Sequence, residues 1–291
     1  MPLLALTDCA SDSVATGEII AHWAALTGEV AAVLPLPIAL QPAEQIATTS
    51  FASHALYRQL FAASEHLGTP AHPLGMAINA AARDGQYVNG VPFCSFRFGA
   101  HVVTAPYNGQ VLRMVRRYLG VTHVEVVEIQ TVLEAAQRWG DKLSDHSLPF
   151  IVNQKFRSLW FQLRYTHWLL EGRPVPSRQM AVPVPDDDEL LRASFIDGFR
   201  NVFFNITADE LGLSAGNQVY LPRYSRDGRL IEWVDVVCRA DFADVALGEP
   251  ALLVGYGFPM LVIGCDPAAE FFGFRQGQPI ELRRTPVLTR A

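Results

Sequence analysis

The sequence predicts an α/β domain followed by a smaller all-β domain. Three observations predict it. Short apolar runs alternate with helical patterns in the first half, a proline-rich acidic stretch "RPVPSRQMAVPVPDDDEL" follows, and a succession of short strand-like runs comes after it. Strand–helix alternation implies a mostly parallel sheet covered by helices. Short strands between turn residues imply an antiparallel barrel or sandwich. The expected domains are residues 1–178, α/β, and 179–291, all-β and barrel-like.

Each element has its own signal. "PLLAL" reads as a strand, and "SVATGEIIAHWAALTG" as a helix with Ile19, Trp23 and Leu26 at helical spacing and Gly28 as its stop. "VAAVLPL" is a second strand, "AEQIATTSFASHALYRQLFAASEHLG" a long helix and "PLGMAIN" a third strand. "HVVTAP" leads into a helix at "QVLRMVRRYLG", and "HVEVVEI" precedes two further helices. Beyond the linker come "ASFID", "NVFFNIT", "NQVYLPRY", "LIEWVDVV", "ALLVGYG", "PMLVIG" and "PIELRR".

Composition narrows the function. A chain of 291 residues can bury two cores. Its formal charge is 23 − 29 = −6, which argues against a nucleic-acid partner. Arg113, Arg116 and Arg117 are expected on the solvent side of a helix whose apolar face is Val111, Val115 and Leu119. The four cysteines show no metal-ligand spacing and the histidines no HExxH pattern, so no metal site is expected. "MPLLALTDCASD" lacks the basic start of a signal peptide, and no run reaches the ~20 apolar residues of a membrane span. A cytoplasmic protein without membrane contact is expected. No GxSxG, P-loop or GxGxxG occurs.

Ligands of parallel sheets bind at the carboxyl ends of strands. Three loops there are polar. "LTDCASDS" puts Asp8 just past the first strand, with Asp12 and Ser13 placed to cap the next helix. "MAINAAARDG" puts Asn79 past the third strand and Arg83 four residues on. "TAPYNG" puts Tyr107 and Asn108 before a helix, where Asn108 also suits a cap. Asp8 comes too early to be the best cap; a ribose diol and an ion pair are its two readings. In the second half, "FIDGFRNVFFNIT" sets Asp197, Asn201 and Asn205 among aromatic residues that include Phe199. Asp-Gly there reads either as a tight turn or as a binding loop with aromatic walls.

Taken together, "LTDCASDSVATGEI", "VVTAPYNGQVL", "FIDGFRNVFFNIT", "GNQVYL" and "RQGQPIELRR" resemble, in order and spacing, the S-adenosylmethionine hydroxide adenosyltransferases and the related fluorinase. The resemblance spans nearly the whole chain. It implies a homotrimer that binds S-adenosylmethionine as substrate, without a further cofactor, between the α/β domain of one subunit and the all-β domain of its neighbour. It implies ribose recognition by Asp8, with Asp197 and Asn201 on the amino and carboxylate groups of the methionine part. "IGCDPAA" would lie along the adenine, which brings in Cys265, Asp266, Pro267 and Ala268. Ser13, Asn108 and Phe199 complete the candidate substrate-binding set, and Asn79 and Arg83 are the catalytic candidates.

Departures from the family concern turnover. Asn79 stands where the family has Asp, and "PFIVNQKFRSLWF" occupies the region of its Phe-His-Gly-Arg-Asp segment without an aligned His. Cys9 and Ala10 replace Phe-Gly, and Arg200 replaces a Gly. The expected activity is hydrolysis of S-adenosylmethionine to adenosine and methionine. The alternative is a diverged, regulatory protein that binds S-adenosylmethionine or adenosine without turning it over.

Overall fold

The computed structural model describes residues 1–8, 14–37, 45–64, 68, 72–80, 90–143, 147–153 and 157–284. They form two compact units, Met1–Pro185 and Asp186–Ala291. The stretch Arg178–Ala181, expected at the linker, pairs as a strand with His123–Val127 and so belongs to the first unit.

The first unit is mixed α/β. Its strands are β1 (Leu3–Thr7), β2 (Ala31–Pro35), β3 (Gly75–Asn79), β4 (Phe93–Phe98), β5 (His101–Pro106), β6 (His123–Val127) and β7 (Arg178–Ala181). They lie in the order β2-β1-β3-β5-β4-β6-β7. The pairs β2–β1, β1–β3 and β3–β5 are parallel, whereas β4 runs antiparallel to both β5 and β6, and β7 antiparallel to β6. Five strands therefore point one way and β4 and β7 the other. β4 lies outside the expected strands. It pairs with β5 through a tight turn at Gly99 and Ala100, with Phe98 opposite His101, and Gly99 supplies the positive φ of 55° there.

Both faces of the sheet are covered, as its side-chain alternation requires. Leu3, Ala5 and Ala77 pack with Ile19 and Trp23 of α1 (Val14–Thr27) and with Leu159 and Leu163. Leu6, Met76, Ile78 and Val103 face the other way, onto Leu56 and Leu60 of α2 (Gln45–Ala63) and Val111, Leu112 and Val115 of α3 (Gly109–Leu119). A third cluster joins Val127 to α4 (Ile129–Arg138), α5 (Ser147–Asn153) and α6 (Leu163–Leu170).

Arg113 corrects an expectation. It is only 3% exposed, and Arg116 and Arg117 are half-buried rather than solvent-facing. The reason is that α3 packs on the sheet and on α2 at once, so its covered surface is wider than one apolar stripe.

Residues Ser158–Gln162 form a π-helical turn leading into α6. That turn carries the buried Gln162 side chain to the sheet, where Nε2 donates to Ile78 O and Thr104 O, both at 3.0 Å. The Thr104 and Thr166 hydroxyls share a 2.7 Å hydrogen bond, and Thr166 Oγ1 donates to Gln162 O. The β3–β5 register ends at Ala77 and Thr104, so the Gln162 amide bridges the two strands just where their ladder stops.

The second unit is a six-stranded curled sheet of β8 (Ala193–Ile196), β9 (Val202–Phe204), β10 (Gln218–Tyr224), β11 (Leu230–Arg239), β12 (Pro250–Leu253) and β13 (Met260–Ile263). The order is β10-β11-β12-β13-β9-β8. The expected antiparallel pattern holds except for β11–β12, which is parallel. Between these strands the chain does not make a hairpin but passes through a 3-10 turn at Phe242–Asp244 capped by Asp241. Val202, Phe204, Val219, Leu221, Val236 and Leu252 fill the core with Phe272 of α7 (Ala268–Phe272). The segment after α7 touches both sheet edges. Ile280 N donates to Leu191 O, just before β8, while Tyr220 of β10 and Arg283 exchange hydrogen bonds at 2.8 and 3.1 Å.

Candidate functional site

In the first unit, β1 leads through α1 to β2 on one side and the chain then returns through α2 to β3 on the other. The two helices pack on opposite faces of the sheet. The point where the order reverses, between β1 and β3, is where open α/β sheets leave a crevice past their strand ends. Asp8 and Asn79 sit there. Thr7 is paired with Asn79 in the ladder, and Asp8 N donates to Asn79 O at 3.0 Å.

The side chains meet as well. Asn79 Nδ2 donates to Thr7 Oγ1 at 3.0 Å and to Asp8 Oδ1 at 3.3 Å. The amide thereby ties the carboxylate to the ends of both strands. Ionised, that carboxylate acts only as a hydrogen-bond acceptor. Asn79 has no proton-accepting group of its own.

Arg83, Asp12 and Ser13, the remaining residues singled out in these loops, lie outside the described residues. Asn108 acts as the cap of α3: with extended backbone, its side chain accepts from Gln110 N at 2.9 Å and Val111 N at 3.2 Å. Tyr107 donates its hydroxyl to Ala181 O at 2.7 Å.

In the second unit, Asp197 and Asn201 turn out to build the β8–β9 turn. Asp197 Oδ1 accepts from Phe199 N and Asn201 N, each at 2.9 Å, and Oδ2 accepts from Asn201 Nδ2 at 3.0 Å. Phe199 stands at the apex, 83% exposed. Arg200 takes a positive φ of 69° to complete the turn. Asn205 has a local duty too: its side chain accepts from Arg192 N at 2.7 Å and donates to Leu190 O at 3.0 Å.

The Cys265–Ala268 loop lies beside this turn. Ala269 N donates to Arg200 O at 3.0 Å, and Arg200 Nε pairs with Glu270 Oε1 at 2.6 Å. Gly264 permits the entry, because a Cβ there would lie 2.1 Å from Ala246 O. Cys265 then adopts a φ of 65°. Arg200 and Cys265 are the two non-glycine residues with positive φ among the described residues, and they occur on two loops in contact. Such strain persists where the surroundings hold it, and it concentrates at ligand-binding sites. Cys265, Asp266 and Pro267 are exposed, whereas the Ala268 side chain is fully buried in the core, so Ala268 can offer a ligand only its backbone. Among the described residues no group of His, Cys, Asp and Glu could hold a metal ion.

No protein-family model matches the chain, and no curated protein does. Solved structures do. One, described as an uncharacterized conserved protein from Thermotoga maritima, aligns with a TM-score of 0.65 at 18% identity, covering 97% of this chain and 100% of its own. Another, a conserved hypothetical protein from Thermus thermophilus, aligns with a TM-score of 0.56 at 17% identity, covering 97% and 99%. At these identities the likeness is one of fold.

Proposed function

We propose that the chain binds S-adenosylmethionine and transfers its adenosyl group to water, releasing adenosine and methionine. The observation that carries this reading is the Asp8 carboxylate, set at the reversal point of the sheet and oriented by Asn79. A carboxylate there suits a ribose diol. The strained, linked loops at Arg200 and Cys265 support a second set of contacts, with backbone groups around Cys265 for a purine and the Asp197–Asn201 turn for an amino-acid end.

In the reaction, water oxygen forms a bond to the ribose C5′ as the C5′–sulfur bond breaks. The electron pair goes to sulfur, the sulfonium becomes a neutral thioether, and the water proton is released. Sulfur needs no protonation to leave. The protein's task is to hold the ribose and align the water at near-attack distance. Since Asn79 cannot accept a proton and is engaged by Thr7 and Asp8, hydrolysis is slow. That engagement also favours the second reading, a protein that binds the adenosyl ligand without turning it over. We place the protein in the cytoplasm as a homotrimer, on the resemblance alone. Incubation with S-adenosylmethionine and chromatography for adenosine distinguishes the two readings, and calorimetry that finds neither S-adenosylmethionine nor adenosine bound at millimolar concentration refutes both.

A further inference from the structure

Elsewhere in the first unit a cavity of about 740 Å³ opens at the carboxyl end of β6. None of Asp8, Asn79 and Asn108 lines it. Pro92, Val127, Ile129 and Val152 give it apolar walls, and Arg157 and Arg178 bring two guanidinium groups to its edge. The volume falls within the ~300–1,000 Å³ of small-molecule sites.

Arg157 is held in place. Its Nη2 donates to Val91 O at 3.0 Å, and its guanidinium carbon lies 5.4 Å from the centroid of the Phe93 ring. Gly90 makes the room, since a Cβ at that position would lie 2.8 Å from Arg157 Nη2. Burial disfavours the charged form of Arg157 and lowers its pKa from the usual value. Yet no described carboxylate pairs with it, and the bond from Arg178 Nη2 goes to Met180 Sδ at 3.1 Å. Glu128 is the acid among the described lining residues, and it accepts from Thr131 Oγ1 at 2.8 Å instead of capping α4. Among the described residues that line the cavity, two guanidinium groups stand against one carboxylate, a net positive lining. An arginine fixed on a carbonyl and a ring, partly out of water and without a counter-charge among the described residues, presents its remaining N–H donors as a fork that fits an oxyanion.

We infer that this cavity binds a small molecule carrying one anionic oxygen group, carboxylate or phosphate, on an apolar body, with the anion on the Arg157 guanidinium and the body against Val127, Ile129 and Val152. The inference does not depend on the adenosyl reading, because neither the residues nor the ligand are shared with it.

Benzoate and phenyl phosphate share a ring and differ in the anionic group, so titration calorimetry of the full chain with each tests the site and names the group. The expected result is saturable binding of at least one probe at one site per chain. Arg157→Gln weakens it about tenfold or more, the scale of a charge-assisted pair, and Arg178→Gln, at an exposed position, weakens it less. A second measurement needs no variant. Phenylglyoxal modifies accessible arginines, and the bound probe protects Arg157 in the wild-type chain, read by peptide mass spectrometry. The inference is overturned if neither probe saturates at millimolar concentration, if folded Arg157→Gln binds as the wild type does, or if Arg157 is modified equally with and without probe.

Discussion

The side-chain nitrogen of Asn79 lies 3.3 Å from Asp8 Oδ1 and 3.0 Å from the Thr7 hydroxyl, so the two polar residues past the ends of β1 and β3 form one unit. Asp8→Ala removes the carboxylate while leaving the Asp8 N–Asn79 O backbone bond in place. Affinity for S-adenosylmethionine or adenosine should fall by about 1.5–3 kcal/mol, the net worth of hydrogen bonds to a charged group. Calorimetry reads the change, and unchanged affinity removes Asp8 from the site.

Asn79→Asp is a more pointed test, because it sets a second carboxylate within hydrogen-bond distance of Asp8. Like charges so close raise the pKa of one member of the pair. Ligand affinity of the variant should therefore be weak at neutral pH and recover as acidification protonates one member of the pair and leaves a single carboxylate. If the new carboxylate instead reaches a bound water, adenosine release rises toward the ~10²–10⁴-fold that a general base contributes. Affinity titrations and adenosine chromatography from pH 5 to 8 separate the outcomes.

Asp197 accepts three hydrogen bonds within its own turn, so its first debt is to folding. Asp197→Ala should lower stability by about 2 kcal/mol, for it leaves two backbone N–H groups without their charged acceptor. The urea midpoint should drop without ligand present. A variant as stable as the wild type would show that the turn stands without its carboxylate.

His54 lies buried on α2 with its pKa pushed down to about 3, first by desolvation and second by the charge of Arg58. The folded chain keeps it neutral while the unfolded chain protonates it near pH 6.5. Stability from this group is therefore complete above pH 6.5 and declines as the pH falls toward 3. Between pH 6.5 and 5 the loss is roughly 2 kcal/mol. Urea unfolding at the two pH values should show that loss in the wild type and less of it in His54→Gln.

The proposed homotrimer is tested by light scattering, which should report a mass near three times the 32.1 kDa of one chain. A monomer would detach the adenosyl reading from the assembly its resemblance implies.

The elements with a strong period were legible. β1 and β3 are short apolar runs, and α1 shows Ile19 and Trp23 at helical spacing, so their faces follow from the pattern. β4 was not, because Cys94, Ser95 and Arg97 blur its alternation within a region read as strand–helix units. β7 hid among prolines: only its pairing with β6 identifies it. Asp8 was legible as a site candidate because a carboxylate at a strand end has few local uses. Asp197 was ambiguous, since both the turn and the binding loop ask for the same residue type, and only the three bonds it accepts reveal the turn. Nothing periodic marks Arg157; Gly90, far away in sequence, is what admits its guanidinium.

The stretch that touches both edges of the second sheet acts as a zip. Without it, the backbone before β8 and the outer side of β10 would lose the partners they have in Ile280 and Arg283. Bare strand edges recruit other chains. A chain cut after Gln276 should therefore fail by clumping, edge against edge, with a core that has lost Ile280 as well.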